Sequence, residues 1–152
     1  MQKYLKKTNS KLKVRQAKIE DLYFTLMLHN QNVIKKKFFS KKKVIIKDHK
    51  IWFANKIKEK MLFIGSLNIK IGYVRYDFFD KKCLSVSIAV IKKYKRKGLG
   101  KQMMLKTLSK KKISKFDIIA NIKKQNFESK KFFSDLGFKL TKKDRYILKA
   151  RS

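Results

Sequence analysis

The chain has 152 residues, and its 43 Lys+Arg against 10 Asp+Glu give a formal net charge of +33. That length suits one domain and not two full-sized ones, and a hydrophobic fraction of 43% excludes a disordered chain. The apolar runs are too short and too often broken by lysine to span a membrane, and a single cysteine, Cys83, excludes an internal disulfide and suits a reducing cytoplasm.

In chain order, residues 1–10 read as a flexible basic arm, with no apolar run behind Met1 to make a secretion signal. Residues 11–152 read as one domain. Residues 12–16 alternate as a strand, and Ile19, Leu22, Tyr23 and Leu26 follow helical spacing as far as Asn30. After a poorly periodic basic stretch, Asp48 is placed to cap a second helix to about Lys60, with Phe53 and Ile57 stacked at i,i+4. Strands are expected at 61–65 and 70–78, then at 83–91. In the last of these, Leu84, Val86, Ile88 and Val90 share one face and Ser85, Ser87 and Ala89 the other. A helix then carries Leu99, Met103, Met104 and Leu108 to about Lys111. The run 118–122 is apolar throughout and reads as a strand buried on both sides. A helix from Asn126, a residue type that also favours the N-cap, to Asp135 stops at Gly137, and strands at 138–140 and 145–149 close as a hairpin around residues 142–144. The order β-α-α-β-β-β-α-β-α-β-β is that of an α/β layered domain with a mixed sheet.

Only five of the 43 basic residues are arginine, and proline is absent. That skew toward Lys, Ile, Phe and Asn is the footprint of AT-rich coding, so most lysines read as a solvated coat. The field is real all the same, and it steers phosphate-bearing ligands inward with strong salt dependence. One segment is built to receive them. Lys95-Arg96-Lys97-Gly98-Leu99-Gly100 joins a strand to a helix. Its glycines admit a ligand close to the backbone, and its N–H groups converge at the positive end of the helix dipole. The spacing fits neither a Walker loop nor a dinucleotide fingerprint.

Val86-Ser87-Ile88-Ala89-Val90, followed after four residues by Lys95-Arg96-Lys97-Gly98-Leu99-Gly100, resembles the acetyl-CoA motif of the GNAT superfamily of N-acyltransferases. That motif is written Arg/Gln-x-x-Gly-x-Gly/Ala, and Lys95 stands where Arg or Gln is usual. Downstream, Asn126-Phe-Glu-Ser129-Lys-Lys-Phe132-Phe133-Ser-Asp-Leu136-Gly137-Phe138 is similar to the family's Asn-x-x-Ala-x-x-Leu-Tyr-x-x-Leu-Gly-Phe ending. The resemblance covers residues 12–149. It implies a mostly antiparallel sheet of about seven strands flanked by helices, with two central parallel strands that splay around acetyl-CoA.

By the same resemblance, Ile88, Ala89 and Val90 pair with the pantetheine, and Lys95, Arg96, Lys97, Gly98, Leu99, Gly100 and Lys101 hold the pyrophosphate. Asn126, Ser129 and Phe133 complete the cofactor set, while Phe132 and Leu136 are expected to pack the core. Phe133 stands where many relatives have a proton-donating tyrosine, and Ser85 and Ser87 stand where some carry a glutamate base. The proton is then left to His49 first and Asp77 second, and no metal is expected.

The series from His29 to Lys35, His49-x-x-Trp52-Phe53 and Gly72-x-x-Arg75-x-Asp77 resembles the branch that acetylates nucleotide-linked amino sugars in surface-glycan pathways. Asn30, Trp52 and Arg75 would then touch the acceptor. A ribosomal-protein type N-terminal acetyltransferase and a basic nucleic-acid-binding protein are the competing readings. No specific nucleic acid and no membrane partner is expected, and exposed strand edges leave a homodimer open.

Overall fold

The computed structural model describes residues 11–34 and 43–151. The expected basic arm and the stretch containing Lys35 lie outside the described residues. Among the described residues, seven strands form one mixed sheet: β1 (Lys13–Gln16), β2 (Leu62–Ser66), β3 (Lys70–Phe78), β4 (Cys83–Val90), β5 (Asp117–Asn121), β6 (Lys139–Lys142) and β7 (Arg145–Leu148). Their spatial order is β1-β2-β3-β4-β5-β7-β6, and only the β4–β5 pair is parallel. The helices are α1 (Leu22–Ile34), entered through a 3-10 turn, α2 (Ile46–Glu59), α3 (Leu99–Leu108), the single turn α4 (Lys111–Ser114) and α5 (Phe127–Asp135). This is the expected architecture, with element ends shifted by a few residues. None of the described helices is long and apolar enough to cross a membrane.

Alternation along the strands feeds two cores. Phe63, Val74, Tyr76, Leu84 and Val86 pack with Met103 and Met104 of α3 and Phe133 of α5. On the other face Leu62, Ile64, Tyr73 and Ala89 pack with Leu28 of α1 and Phe53 of α2. A register shift between Gly65 and Ser66 leaves Ile71 unopposed on β3, and that bulge returns its side chain to the α3 side. Close approach of α3 depends on Gly65, where an added Cβ would lie 2.7 Å from the Met103 sulfur.

The α2 start differs from expectation. Its N-cap position is Ile45, and Asp48 lies exposed inside the first turn, where its charge meets the helix dipole without capping it. The asparagine expectation at α5 is met, since the Asn126 side chain accepts from Ser129 N–H at 3.2 Å.

A buried carboxylate ties β1, α1 and β3 together. Asp21, with a fully buried side chain, accepts from Arg15 at 2.7 and 3.0 Å and from Lys18 N–H at 2.7 Å. Lys70 Nζ lies 2.7 Å from its other oxygen. Burial pushes this carboxyl up, but the Arg15, Lys18 and Lys70 bonds outweigh it and hold it at about 2.

Candidate functional site

The site begins where the parallel pair stops. β4 and β5 are in register from Cys83↔Asp117 to Ser85↔Ile119 and part beyond it, because β5 stays with β7 while β4 stays with β3. The gap opens into a cleft of about 330 Å³. Ile88, Ala89 and Val90 form its strand wall. Its far end is the loop carrying Lys95, Arg96, Gly98, Gly100 and Lys101, and Asn126 and Ser129 face it from the start of α5.

The loop turns tightly into α3. Arg96 (φ 62) and Gly98 (φ 75) both lie in the left-handed region. Gly98 is the N-cap of α3 and offers no side-chain cap, so the first N–H groups of that helix remain available beside the cleft. The lysine and arginine side chains around them make this end strongly electropositive.

Three expected members of the set do not line the cleft. Lys97 is exposed, with its ammonium 5.7 Å from the Tyr94 ring, and Leu99 packs against the core. Phe133 is buried edge-to-face between Phe132 and Phe138, at 5.1 and 5.0 Å between centroids. Phe132, expected only to pack the core, instead lines the cleft as well. The two aromatics divide the work by one residue of helix phase.

A second cavity of about 320 Å³ lies under α1 and α2. His49, Trp52 and Arg75 line it, and Thr25, His29 and Tyr73 join them. His49 is 3% exposed, so it is no surface histidine. Its Nε2 lies 3.0 Å from both the Leu22 carbonyl and the Thr25 hydroxyl. A carbonyl only accepts, so Nε2 carries the proton and the neutral ring keeps its lone pair on Nδ1. Burial pulls His49 below its ordinary value, against the Leu22 bond that raises it. For His29, burial, Arg75 and His49 together lower it to about 4. Both rings are therefore neutral at pH 7. Burial also pushes the Tyr73 hydroxyl up to about 12, so it stays protonated.

Arg75 is held from three sides. Its guanidinium donates to Ser87 Oγ at 3.1 Å, sits 5.4 Å from the Trp52 ring centre, and pairs with Asp77 at 2.8 Å. Asp77 itself does not line the cavity, because Lys56, a buried cation, binds it together with Glu59 and the Tyr76 carbonyl. Asp77 is a counter-ion for Arg75 and not a group facing the cavity. Asn30 also falls away, since its amide is spent on the Val44 backbone, accepting at 2.9 Å and donating at 3.1 Å.

Thr25 and Tyr73 carried no expectation, and His29 and Asn32 entered only within the series 29–35, with no role of their own. A signal for three of them was present: Thr25, His29 and Asn32 are polar positions at i, i+4 and i+7, on one face of α1.

Residues 48–140 match the sequence profile of the acetyltransferase (GNAT) domain family. No curated protein sequence matches the chain. Among solved structures, an N-acetyltransferase from Staphylococcus aureus Mu50 superposes with a TM-score of 0.82 at 22% identity, covering 93% of this chain and 100% of that one. The Salmonella typhimurium protein yncA, determined with its cofactor acetyl-CoA, superposes at 0.83 with 17% identity, covering 94% and 96%. A ribosomal-protein-alanine N-acetyltransferase from Brucella melitensis gives 0.77 and 17%, covering 90% and 96%. At these identities the likenesses establish the fold.

Proposed function

Because the chain belongs to the acetyltransferase (GNAT) domain family, an acetyl-CoA-dependent N-acetyltransferase, we propose that it moves the acetyl group to the primary amine of a nucleotide-linked amino sugar in the cytoplasm. The observation that carries the donor half is the cleft between β4 and β5 with an uncapped helix start at its electropositive end. A pyrophosphate fits that end, and the pantetheine arm fits the gap that β5 leaves beside Ile88, Ala89 and Val90.

The acceptor half rests on the second cavity. Its volume suits a sugar ring, its hydroxyl and imidazole groups suit sugar hydroxyls, and Arg75 and Trp52 suit a phosphate and a ring face. A net charge of +33 draws in the second pyrophosphate of such a substrate.

In the transfer, the neutral amine attacks the acetyl carbon, a C–N bond forms and the C–S bond breaks. The leaving thiol should have a pKa near that of cysteine, about 8.5, so its thiolate departs at neutral pH without an acid. A phenylalanine at 133 is compatible with that. The amine's surplus proton goes to water or to a neutral imidazole, with His49 the first candidate. Positioning supplies most of the acceleration.

The test has two stages. Acetyl-CoA at a hundred times its dissociation constant should stabilise the chain by about 2.7 kcal/mol, a rise in Tm of roughly 5–10 °C for this size. Thiol release is then followed with UDP-linked amino sugars bearing the amine at different ring carbons, and with peptides having free N-termini. Release only with peptides moves the acceptor to protein N-termini. No stabilisation by acetyl-CoA beside a large one by RNA overturns the enzyme reading.

A further inference from the structure

The two cavities approach each other on both of their walls. On the helix wall, Thr25 and His29 of α1 line the inner cavity, and Asn32, one turn further along the same face, lines the cleft. On the sheet wall, Tyr73 of the inner cavity is paired directly across β3–β4 with Ala89 of the cleft. An acceptor in the inner cavity and a donor in the cleft would meet at this junction. Asn32 stands there.

Its amide is oriented by the fold. Asn32 is 5% exposed, and its Nδ2 donates to the Leu28 carbonyl at 2.9 Å. Since a carbonyl cannot donate, that bond fixes nitrogen toward the helix and oxygen away from it. The Asn32 Oδ1 has no hydrogen-bond partner among the described residues. Asn32 lines the cleft and its Oδ1 is not among the polar atoms cut off from solvent, so that oxygen is open to a donor entering there.

We propose that Asn32 holds the acceptor amine, its Oδ1 receiving one N–H so that the nitrogen lone pair faces the acetyl carbon. The proposal rests on the acetyl-transfer reading above. The chemistry suits a neutral nucleophile: a primary amine has two N–H donors and one lone pair, and one N–H bound at a fixed oxygen sets the direction of the other features. An amide oxygen does this without the full charge by which a carboxylate would favour the unreactive ammonium form.

Two substitutions separate this role from a structural one. Asn32→Leu removes both amide functions, whereas Asn32→Asp keeps an acceptor oxygen and loses the Nδ2 bond to Leu28. Each is assayed for thiol release from acetyl-CoA with the UDP-linked amino sugars, for acetyl-CoA affinity by calorimetry, and for folding by circular dichroism. The expected result is a fall of roughly 50-fold in kcat/KM for the amine in Asn32→Leu, with acetyl-CoA affinity within twofold of the parent. Asn32→Asp should retain kcat/KM within about tenfold.

If both variants lose activity equally, Nδ2 and helix structure matter and the proposal fails. If Asn32→Leu instead weakens acetyl-CoA tenfold, the oxygen serves the amide chain of the donor, which also overturns it. An active parent with an equally active Asn32→Leu overturns the proposal alone. A parent that releases no thiol with any amine overturns the acetyl-transfer reading beneath it. Should Asn32→Leu fail to fold, Asn32→Ala replaces it under the same criteria.

Discussion

Gly100→Val should weaken acetyl-CoA binding by at least about 100-fold, equivalent to roughly 2.8 kcal/mol, in a chain that still folds. The reason is position. A Cβ at Gly100 would lie 3.4 Å from Phe132 on α5 and 3.6 Å from Ile88 on β4, which are ordinary contacts. Alanine is therefore tolerable as packing, but the two γ-carbons of valine have only the cleft between those walls to enter. Gly98 differs, because a Cβ there meets nothing within 4 Å and its requirement is the φ of 75°. Calorimetric titration of acetyl-CoA into Gly100→Ala and Gly100→Val checks the argument. Equal affinity in a folded valine variant would mean that the ligand does not pass between Ile88 and Phe132.

Asp21→Ala should cost about 2–3 kcal/mol of stability, at or just below the usual range for breaking a buried ion pair because Arg15 and Lys70 remain partly solvated. For a chain of this size that lowers Tm by roughly 5–10 °C. The loss also has a pH signature. The Asp21 carboxyl is held at about 2 in the fold against an ordinary 3.8, so its contribution is complete above pH 4 and disappears as the pH falls toward 2. Melting curves of parent and variant should therefore converge across that interval. A constant difference between them would assign the effect to packing at the start of α1 instead of to charge.

What could be read in the amino-acid sequence was what is decided locally. The alternation of β4, the glycine loop, the Asn126 cap and the stop at Gly137 each depend on a few neighbouring residues, and each lies where expected. What could not be read was which of two near neighbours faces the site. α1 carries apolar residues all round, with Tyr23 and Met27 exposed while Leu22 and Leu28 are buried, so its pattern does not fix the rotation that turns Asn32 to the cleft and Asn30 to Val44. Phe132 and Phe133 pose the same problem on α5. Asp77 was beyond reach for another reason. Its partner Lys56 is 21 residues away in the chain, and a buried lysine on a helix face carries no local mark of the carboxylate it will meet.

The early end of the β4–β5 ladder has a consequence for exchange with solvent. From Val86 onward, the amides of β4 that point away from β3 face no neighbouring strand, although they lie near the middle of a seven-stranded sheet. In deuterium they should exchange through small local openings while their β3-facing neighbours wait for much larger ones. A ligand chain lying in the gap would take the place of the missing strand segment. Slowed exchange at alternate residues of Val86–Val90 would then follow occupancy amide by amide, whatever acceptor the enzyme serves.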